Sequence, residues 1–370
     1  MIKNVAVIGC GNISDIYLTN LTNTFDNVCV YTVCDLDESK ANEKADKYNT
    51  KVMTLDEILQ DDKIDIVLNI TTPFHHYEVC KKALEQKKSV YVEKPLSITY
   101  KEGAELVELA KKNKVLLGCA PDTFMGAGIH TARKIIDDGL IGEIIGASAF
   151  MVCPGHENWH PSPEFYYKRG GGPLFDMGPY YLTALINLVG PVKSVMGMTN
   201  CMRQQRLITS KPKHGQIVDV EVATHINGLL RFSNGAIGNI IMSFDVYGST
   251  LPRIEIYGTK GTLIVPDPNT FGGEILLKQN FDKEFHTYPL INRFSENSRG
   301  IGISDMAYCL ISNSSENCAS GNLALHVLEI MEKIQESNDI HEEIDLLSFC
   351  ERPKISPVIG SAEKDVLVVE

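Results

Sequence analysis

Short apolar runs alternate with helical patterns over the first third of the chain. The runs are bounded by turn residues or charges, as is typical of strands buried on both faces of a sheet. Five such strands are predicted, at Val5–Ile8, Val28–Cys34, Ile64–Ile70, Ser89–Val92 and Val115–Cys119. The helices between them are predicted at Ile13–Leu21, Glu38–Tyr48, Tyr77–Gln86 and Lys101–Lys112, with Asp37 and Thr99 as N-caps of two of them. Strands that alternate with helices predict an α/β fold with a doubly wound parallel sheet.

The pattern changes after about Pro121, where strand signals separated by turns become dominant. The helices predicted in this part are Ile129–Asp138, Gly178–Val189 and Leu323–Glu336. The strands are predicted at Ile144–Val152, Val192–Cys201, His225–Phe232, Ala236–Val246, Arg253–Gly258 and Thr262–Val265, with hairpin turns at Ser233-Asn234-Gly235 and Thr259-Lys260-Gly261. We therefore expect two domains, an α/β domain over residues 1–122 and an α+β domain over residues 123–370. The second should carry a large, open, mostly antiparallel sheet.

Composition narrows the class of protein. A chain of 370 residues with 44% hydrophobic content can bury a large core. The net charge of −12 argues against a nucleic-acid surface, which needs clustered Lys and Arg. We find no apolar stretch near the ~20 residues of a membrane span and no basic-then-apolar leader. The ten cysteines are scattered without a Cys-x-x-Cys pair, which favours buried free thiols and a cytoplasmic protein.

A glycine-rich turn follows the first strand. Gly9 permits a tight turn, and Gly11 lets the backbone approach a pyrophosphate, which N–H groups from Asn12 and Ile13 onward can bind. Ser14 stands where this fingerprint usually has Gly or Ala, and it is small enough for close helix packing. Asp35 ends the second strand, where a carboxylate can bind both ribose hydroxyls of adenosine and repel a 2′-phosphate. The pattern predicts a Rossmann domain that binds NAD rather than NADP; a tight turn and an ordinary loop acid without a ligand are the alternatives.

The segment Glu93-Lys94-Pro95 follows the strand Ser89–Val92. It therefore lies at the carboxyl edge of the sheet, where doubly wound folds bind ligands. A lysine beside nicotinamide can hydrogen-bond a substrate hydroxyl, and we expect the cationic ring and partial desolvation to lower its pKa. A solvated lysine in a charged turn is the structural alternative.

A second glycine-rich segment, Gly170–Tyr181, leads into the helix predicted from Gly178. Asp176 lies just before this helix, and Tyr180 follows four residues later. If the helix packs across the cleft, the carboxylate can hold and tune Lys94, and the phenol can donate to the reacting oxygen. The alternatives are a helix N-cap for Asp176 and a core or interface aromatic for Tyr180.

In these segments the chain resembles the Gfo/Idh/MocA family (glucose–fructose oxidoreductase, inositol dehydrogenase and rhizopine catabolism) over nearly its whole length. The resemblance is carried by Gly9–Ser14, Asp35, Thr71-Thr72-Pro73 with His76, Glu93-Lys94-Pro95 and Gly170–Tyr180. It implies a Rossmann domain followed by an open sheet that often mediates oligomerisation, here as a homodimer or homotetramer. It also implies reversible NAD(P)-dependent oxidation of a hydroxyl on a sugar, cyclitol or related polyol, with Lys94 and Asp176 in the catalytic centre.

The main departure from that family lies at Tyr180, because many members have a histidine there to which proton transfer is assigned. A phenol with an ordinary pKa of about 10 is a poorer base at neutral pH, so Lys94 or another histidine would take this role. His156 and His160, with Trp159 between them, lie in a proline-bounded loop and are candidates for substrate contact. A structural loop is one alternative. The His-x-x-x-His spacing makes a metal site another, although no ligand pair nearby completes one.

Further candidates are predicted at the same sheet edge. The cofactor contacts expected there are Thr71, Thr72, Pro73, His76, Glu93 and Lys94. His76 can instead pack at the start of its helix. Asp122 and Arg169 are candidates for substrate contact, with a domain hinge and a solvated surface residue as the respective alternatives.

Three functions are compatible with these residues. The leading hypothesis is a cytoplasmic NAD-dependent oxidoreductase acting on CH–OH groups, in which Lys94, with Tyr180 or His160, removes the hydroxyl proton. A second keeps the site but is redox-neutral: transient oxidation of a glycoside to a 3-keto sugar permits elimination, after which NADH returns the hydride. A third is a regulator that senses NAD or a sugar without turnover.

Overall fold

A six-stranded sheet forms the core of the N-terminal part of the computed structural model, which describes residues 1–359. Its strands are Lys3–Ile8 (β1), Val28–Cys34 (β2), Lys51–Val52 (β3), Ile66–Asn69 (β4), Ser89–Val92 (β5) and Leu117–Cys119 (β6). The helices that connect them are Ser14–Asn23 (α1), Glu38–Tyr48 (α2), Leu55–Gln60 (α3), Pro73–Glu85 (α4) and Tyr100–Asn113 (α5). The strands lie in the order β3-β2-β1-β4-β5-β6, and every neighbouring pair is parallel. Their carboxyl ends therefore share one edge, and the predicted doubly wound fold is confirmed.

Local sequence explains where these elements begin. Asp37 accepts a hydrogen bond from the Ser39 N–H at the start of α2, and Thr99 forms a capping box with Glu102 at the start of α5, so both predicted N-caps are confirmed. The strands β4 and β5 are buried at every residue, as expected for strands covered by helices on both faces. The elements β3 and α3 were not among the predictions, because two and six residues carry too little periodicity to detect.

The second half is dominated by strands. They are Ile144–Val152 (β7), Val192–Asn200 (β8), Gln205–Leu207 (β9), Ile217–Asp219 (β10), His225–Phe232 (β11), Ile237–Ser243 (β12), Ile254–Gly258 (β13), Gly261–Val265 (β14), Ile275–Gln279 (β15), His286–Tyr288 (β16) and Ile344–Asp345 (β17). The strands β9 and β10 pair with each other, and the other nine form a sheet in the order β16-β15-β14-β13-β7-β12-β11-β8-β17. Within that sheet the β7–β12 pair is parallel and the other seven pairs are antiparallel, as predicted.

The helices of this half are Ala127–Asp137 (α6), Gly172–Leu188 (α7), Ile301–Ser312 (α8) and Gly321–Ile340 (α9), with short 3₁₀ turns at Thr123–Met125 and Pro163–Tyr167. The helix α7 begins six residues before the predicted start at Gly178. Pro173 sits in its first turn, where no backbone N–H is needed, and Pro179 is accommodated inside the helix. Gly172, Pro173, Gly178 and Pro179 therefore belong to the helix, whereas Gly170 and Gly171 precede it.

The helices α8 and α9 return to the first sheet. The backbone N–H of Cys119 in β6 donates to the carbonyl of Ala319 at 3.0 Å, and Gly118 forms a bridge with Ser320. Residues late in the chain thus complete the edge of the N-terminal sheet. The division at residue 122 stays a prediction, and residues 360–370 of the second predicted domain lie outside the described residues.

One face of the nine-stranded sheet is covered by α7 and α9. On the opposite face, alternate residues of β11 are exposed in the part of the chain that the structure describes. There the neighbouring strands β8, β11 and β12 expose four apolar side chains, which together we call the outer face. They are Met196, Met198, Leu229 and Ile237. None of the helices formed by residues 1–359 has the length and apolar character needed to cross a bilayer.

Candidate active site

Lys94 and Asp176 meet in the cleft between the two sheets. Lys94 stands just beyond β5, and Asp176 lies in the second turn of α7, so it is not the N-cap of that helix. The Lys94 Nζ donates to the Asp176 Oδ1 at 2.9 Å and to the Asp176 backbone carbonyl at 2.6 Å. The side chains are only 16% and 19% exposed, so this pair is held largely out of water.

The electrostatics of this pair fix both charges. Burial by itself would lower the pKa of Lys94, but the adjacent Asp176 carboxylate outweighs burial and raises it. Burial would likewise raise the pKa of Asp176, but the Lys94 ammonium, together with the nearby His156 ring, lowers it to about 2. The expected lowering of the pKa of Lys94 is therefore not found in the chain alone. Lys94 is an ammonium donor, and Asp176 is a carboxylate.

Tyr180 lies one turn after Asp176 on the same face of α7. Its ring centre is 5.2 Å from the Lys94 Nζ, and the residue is 8% exposed. Burial raises the pKa of Tyr180, and the nearby Lys94 only partly opposes this. The phenol is thus close to the pair, as predicted, but it is protonated at neutral pH and serves as a donor.

Two residues support the backbone around Lys94. Glu93 accepts hydrogen bonds from the Lys94 N–H at 2.9 Å and from the Tyr17 hydroxyl at 2.7 Å, so both of its oxygens are engaged within the chain. His76 is fully buried, and its ring nitrogens lie 2.7 Å from the Pro95 carbonyl and 3.0 Å from the Thr71 carbonyl. Both ring nitrogens of His76 therefore bond to backbone carbonyls, as its packing alternative expects, and the contacts of His76 and Glu93 with a cofactor stay predictions.

The glycine turn provides the space that a dinucleotide needs. Gly9 has a φ of +105°, and a Cβ there would lie 2.7 Å from the Ile70 carbonyl, so glycine is required. A Cβ on Gly11 would meet nothing within 4 Å, and Gly11, Asn12 and Ile13 are all exposed. The helix α1 begins behind them without a side-chain cap. The Ser14 N–H donates to the Gly11 carbonyl at 3.0 Å, and the other N–H groups at this helix start can bind a pyrophosphate.

The acid after β2 is placed as an NAD site requires. Asp35 Oδ2 accepts from the Cys10 N–H at 2.6 Å, which ties this carboxylate to the glycine turn. Its Oδ1 accepts from the Asp37 N–H at 2.9 Å, and further lone pairs stay available for ribose hydroxyls. The residues of the turn and this carboxylate fit an NAD molecule.

The segment after β4 completes the same edge. Thr71 donates its hydroxyl to Asn69 Oδ1 at 2.7 Å, and Thr72 pairs with His75 Nδ1 at 2.8 Å. Pro73 starts α4, so this helix opens beside the cleft. The structure thus groups Thr71, Thr72 and Pro73 with the glycine turn, and their contact with a cofactor stays a prediction.

The loop after β7 brings a histidine to Asp176. His156 Nε2 lies 3.7 Å from Asp176 Oδ2, on the side of the carboxylate that Lys94 does not use. Its ring stacks near Tyr166 and Trp159, with centroid distances of 4.1 and 5.3 Å. Trp159 is 60% exposed, and His160 accepts from the Ser162 N–H through Nδ1. Of the predicted loop residues, His156 therefore enters the site and Trp159 lies at its rim.

Two of the predicted substrate contacts lie elsewhere. Asp122 is 1% exposed, and its Oδ2 accepts from the N–H groups of Gly300 and Gly302 at the start of α8. Burial raises the pKa of Asp122 to about 6, against the effect of these two bonds. Asp122 thus anchors α8 to the N-terminal domain. Arg169 is exposed on the surface, and the contacts of both residues with a substrate stay predictions.

Sequence reasoning missed two residues that shape the loop. Arg206 on β9 is almost fully buried and pairs with Glu157 at 2.8 Å and Asp245 at 2.5 Å. Tyr166 packs against His156 from the 3₁₀ turn. The aromatic run before the glycines could have pointed to Tyr166, whereas no local signal marks Arg206. Among residues 1–359, no group of three His, Cys, Asp or Glu side chains is arranged to hold a metal ion.

Comparison with known proteins agrees with this architecture. Residues 3–120 match the oxidoreductase family NAD-binding Rossmann fold, and residues 129–264 match the GFO/IDH/MocA C-terminal domain. A myo-inositol 2-dehydrogenase of Thermotoga maritima is 27% identical over 263 residues, which cover 70% of this chain and 74% of that protein. An uncharacterized oxidoreductase of Schizosaccharomyces pombe is 31% identical over 211 residues. This match spans about half of each protein, 54% of this chain and 55% of that relative.

A solved structure supports the fold over a longer span. Levoglucosan dehydrogenase, in complex with NADH and levoglucosan, superimposes with a TM-score of 0.81 at 19% identity. The match covers 94% of this chain and 100% of that one. At this level of identity the likeness shows that the two chains share a fold.

Proposed function

The chain belongs to the GFO/IDH/MocA family of oxidoreductases, and on that premise we propose that it is an NAD-dependent dehydrogenase of a sugar, cyclitol or related polyol. The observation that carries the proposal is the buried Lys94–Asp176 pair at the carboxyl edge of a dinucleotide-binding sheet. Ligands of doubly wound folds bind outside this edge, so the pair lies where a reacting group would meet the nicotinamide. An inositol dehydrogenase among the relatives supports a polyol as the substrate.

In this proposal Lys94 binds the substrate oxygen. Asp176 holds the ammonium in place, and the ammonium donates to the hydroxyl and stabilises negative charge as it develops on the oxygen. NAD, bound by the glycine turn and Asp35, supplies the hydride acceptor. Tyr180 contributes a second donor from the same side of α7. Most of the rate enhancement then comes from positioning and from charge that is already in place before the reaction.

The rim of the site is suited to a carbohydrate ring. Trp159 and Phe165 are 60% and 50% exposed. The ring of Trp159 contacts His156 directly, and Tyr166 lies between Phe165 and His156. Aromatic faces pack against the C–H face of a sugar, while the polar groups deeper in the site bind its hydroxyls. This arrangement favours a ring-shaped polyol over an open-chain substrate.

We also propose that the protein is cytoplasmic and forms a homodimer or homotetramer through the outer face. All ten cysteines are free thiols, which fits a reducing compartment. Apolar side chains on a broad open sheet need a cover, and a second copy of the same chain provides one.

The experiment is to incubate the protein with NAD and a panel of polyols, and to follow NADH by absorbance. The panel contains myo-inositol, D-xylose, levoglucosan and methyl glycosides, and a parallel series replaces NAD with NADP. We expect NADH to form with at least one ring polyol, more slowly with NADP because Asp35 repels the 2′-phosphate. Lys94→Ala should abolish turnover while NADH binding, measured by fluorescence, is retained.

The other outcomes separate the alternatives. Consumption of a glycoside without net NADH would replace the dehydrogenase with the redox-neutral reaction. Binding of NADH without turnover of any compound would favour a sensor and overturn the proposal.

A further inference from the structure

His156 has a largely buried side chain, 12% exposed, and neither of its ring nitrogens forms a hydrogen bond among the described residues. Both ring nitrogens are shielded from solvent. The contact between Nε2 and Asp176 Oδ2, at 3.7 Å, is too long for a hydrogen bond. A buried polar group without a partner is costly, so its retention calls for a partner that the chain itself does not supply.

Hydrogen bonds anchor the loop that carries His156 to neighbouring elements. The His156 N–H donates to the Tyr167 hydroxyl at 3.2 Å, and that hydroxyl donates to the Glu157 carboxylate. Arg206 also binds Glu157, and it bridges to Asp245. These bonds anchor the backbone of the loop, and the rings of Tyr166 and Phe244 pack against the imidazole beside Asp176, with centroid distances of 4.1 and 4.6 Å.

None of the three residues predicted to be catalytic is suited to accept the proton of the substrate hydroxyl. Lys94 is an ammonium and can only donate. Asp176, with a pKa of about 2, is a weak base, and burial raises the pKa of Tyr180, so the phenol keeps its proton. Oxidation of an alcohol nevertheless requires a group that takes up the hydroxyl proton. Histidine is the side chain best suited to that exchange near neutral pH.

We infer that His156 is the catalytic base, with Nε2 accepting the proton of the substrate hydroxyl and Asp176 stabilising the resulting imidazolium. The inference rests on the proposed dehydrogenase function. In the balanced step the O–H bond breaks and its proton binds Nε2, the C–H hydrogen leaves with its electron pair to NAD, and the C=O bond forms. Asp176 then pairs with two cations at once, with Lys94 through Oδ1 and with the imidazolium through Oδ2.

A pH profile is the natural test, since several ionisable groups surround this ring. They are Asp176 on α7, Lys94 beyond β5, Glu157 and His160 on its own loop, Tyr166 and Tyr167 on the 3₁₀ turn, and Arg206 on β9. The experiment measures kcat and kcat/KM from pH 5 to 9, with NAD and the best polyol of the panel. It compares the wild type with His156→Gln, His156→Ala and Tyr180→Phe. His286→Gln, at an exposed histidine on β16, is the matched control.

We expect His156→Gln to lose a factor of about 10²–10⁴ in kcat, the usual range for a general base. The fall in kcat/KM toward acid pH, which we call the acid limb of the profile, should be absent from this variant. Free imidazole should restore part of the activity of His156→Ala, whose shortened side chain leaves room for it. Tyr180→Phe should lower kcat but keep the acid limb, and the control should match the wild type. NADH affinity, measured by fluorescence, should be unchanged in all variants, which also shows that they are folded.

The inference and the proposed function fail in different ways. If the wild type turns over a polyol and His156→Gln keeps both its kcat and its acid limb, the assignment of His156 is wrong and the dehydrogenase stands. Failure of imidazole to rescue a folded His156→Ala would count against it in the same way. If the wild type binds NADH but oxidises none of the polyols, the proposed function falls and the inference falls with it.

Discussion

Replacing Lys94 by methionine tests whether the Lys94–Asp176 pair is held in a weakly screened cleft. Methionine keeps the length and apolar contacts of the lysine stem but removes its charge. The carboxylate of Asp176 then stays in a site where it is only 19% exposed and its main cationic partner is gone. Because buried unpaired carboxylates are costly, we expect the variant to be less stable than the wild type.

The size of the effect follows from the pKa of Asp176. It falls from an ordinary 3.8 to about 2, and one pKa unit corresponds to about 1.4 kcal/mol. Ionised Asp176 therefore contributes roughly 2 kcal/mol to stability relative to an unperturbed carboxyl. A depressed pKa gives stability that is complete above 3.8 and is lost as the pH falls toward 2, so the full contribution is present at pH 7.

The assay is a double-mutant cycle at pH 7, with free energies of unfolding from urea titrations of the wild type, Lys94→Met, Asp176→Asn and the double variant. We expect a coupling energy of about 2 kcal/mol. Burial raises the pKa of a carboxyl that lacks a cation, so the deficit of Lys94→Met should shrink as the pH is lowered from 7 to 5. A coupling energy below about 0.5 kcal/mol, the range of exposed pairs, would show that the pair is solvated and refute the reasoning.

Two other predictions concern the support of the site and the assembly. Arg206→Met should destabilise the protein by about 3–5 kcal/mol in urea titrations, because it leaves Glu157 and Asp245 without their buried cation; a loss under 1 kcal/mol would contradict this. Leu229→Glu places a charge on the outer face, and light scattering should show a smaller species than the wild-type oligomer, whereas a monomeric wild type would disprove the proposed contact.

Sequence patterns predict the sheets of this protein well, because buried strands concentrate β-branched residues over short runs. The bounds of β2, β5, β7 and β11 are the predicted ones. The helix α7 begins before its predicted start, because the glycine-rich segment that precedes Gly178 was interpreted as a loop. The helix α8 was missed because it begins at Gly300 without a side-chain cap and is apolar on most of its surface. Local signals failed where tertiary packing alone defines the element.

The residues of the site also divide into those that the sequence pattern places correctly and those whose contacts depend on tertiary packing. Gly9, Asp35 and Lys94 stand at strand ends, so topology alone brings them to one edge of the sheet. His76 and Asp122 also stand near that edge, yet their side chains turn inward and bond to backbone groups. Position in the sequence shows which edge a residue reaches, but the direction of the side chain depends on contacts with distant parts of the chain.

The tyrosine at position 180 can be understood from the geometry around Asp176. The family resemblance places a histidine there, one turn after the aspartate on the same helix. In this chain the imidazole comes instead from the loop after β7 and approaches the opposite carboxylate oxygen, with Nε2 at 3.7 Å. The pairing of carboxylate and imidazole is kept while its source changes, and the phenol takes the place beneath Lys94. If this exchange is what preserved activity, Tyr180→His should leave the acid limb of wild-type turnover in place and should restore turnover to His156→Gln; a double variant as inactive as His156→Gln would show that the two positions are not equivalent.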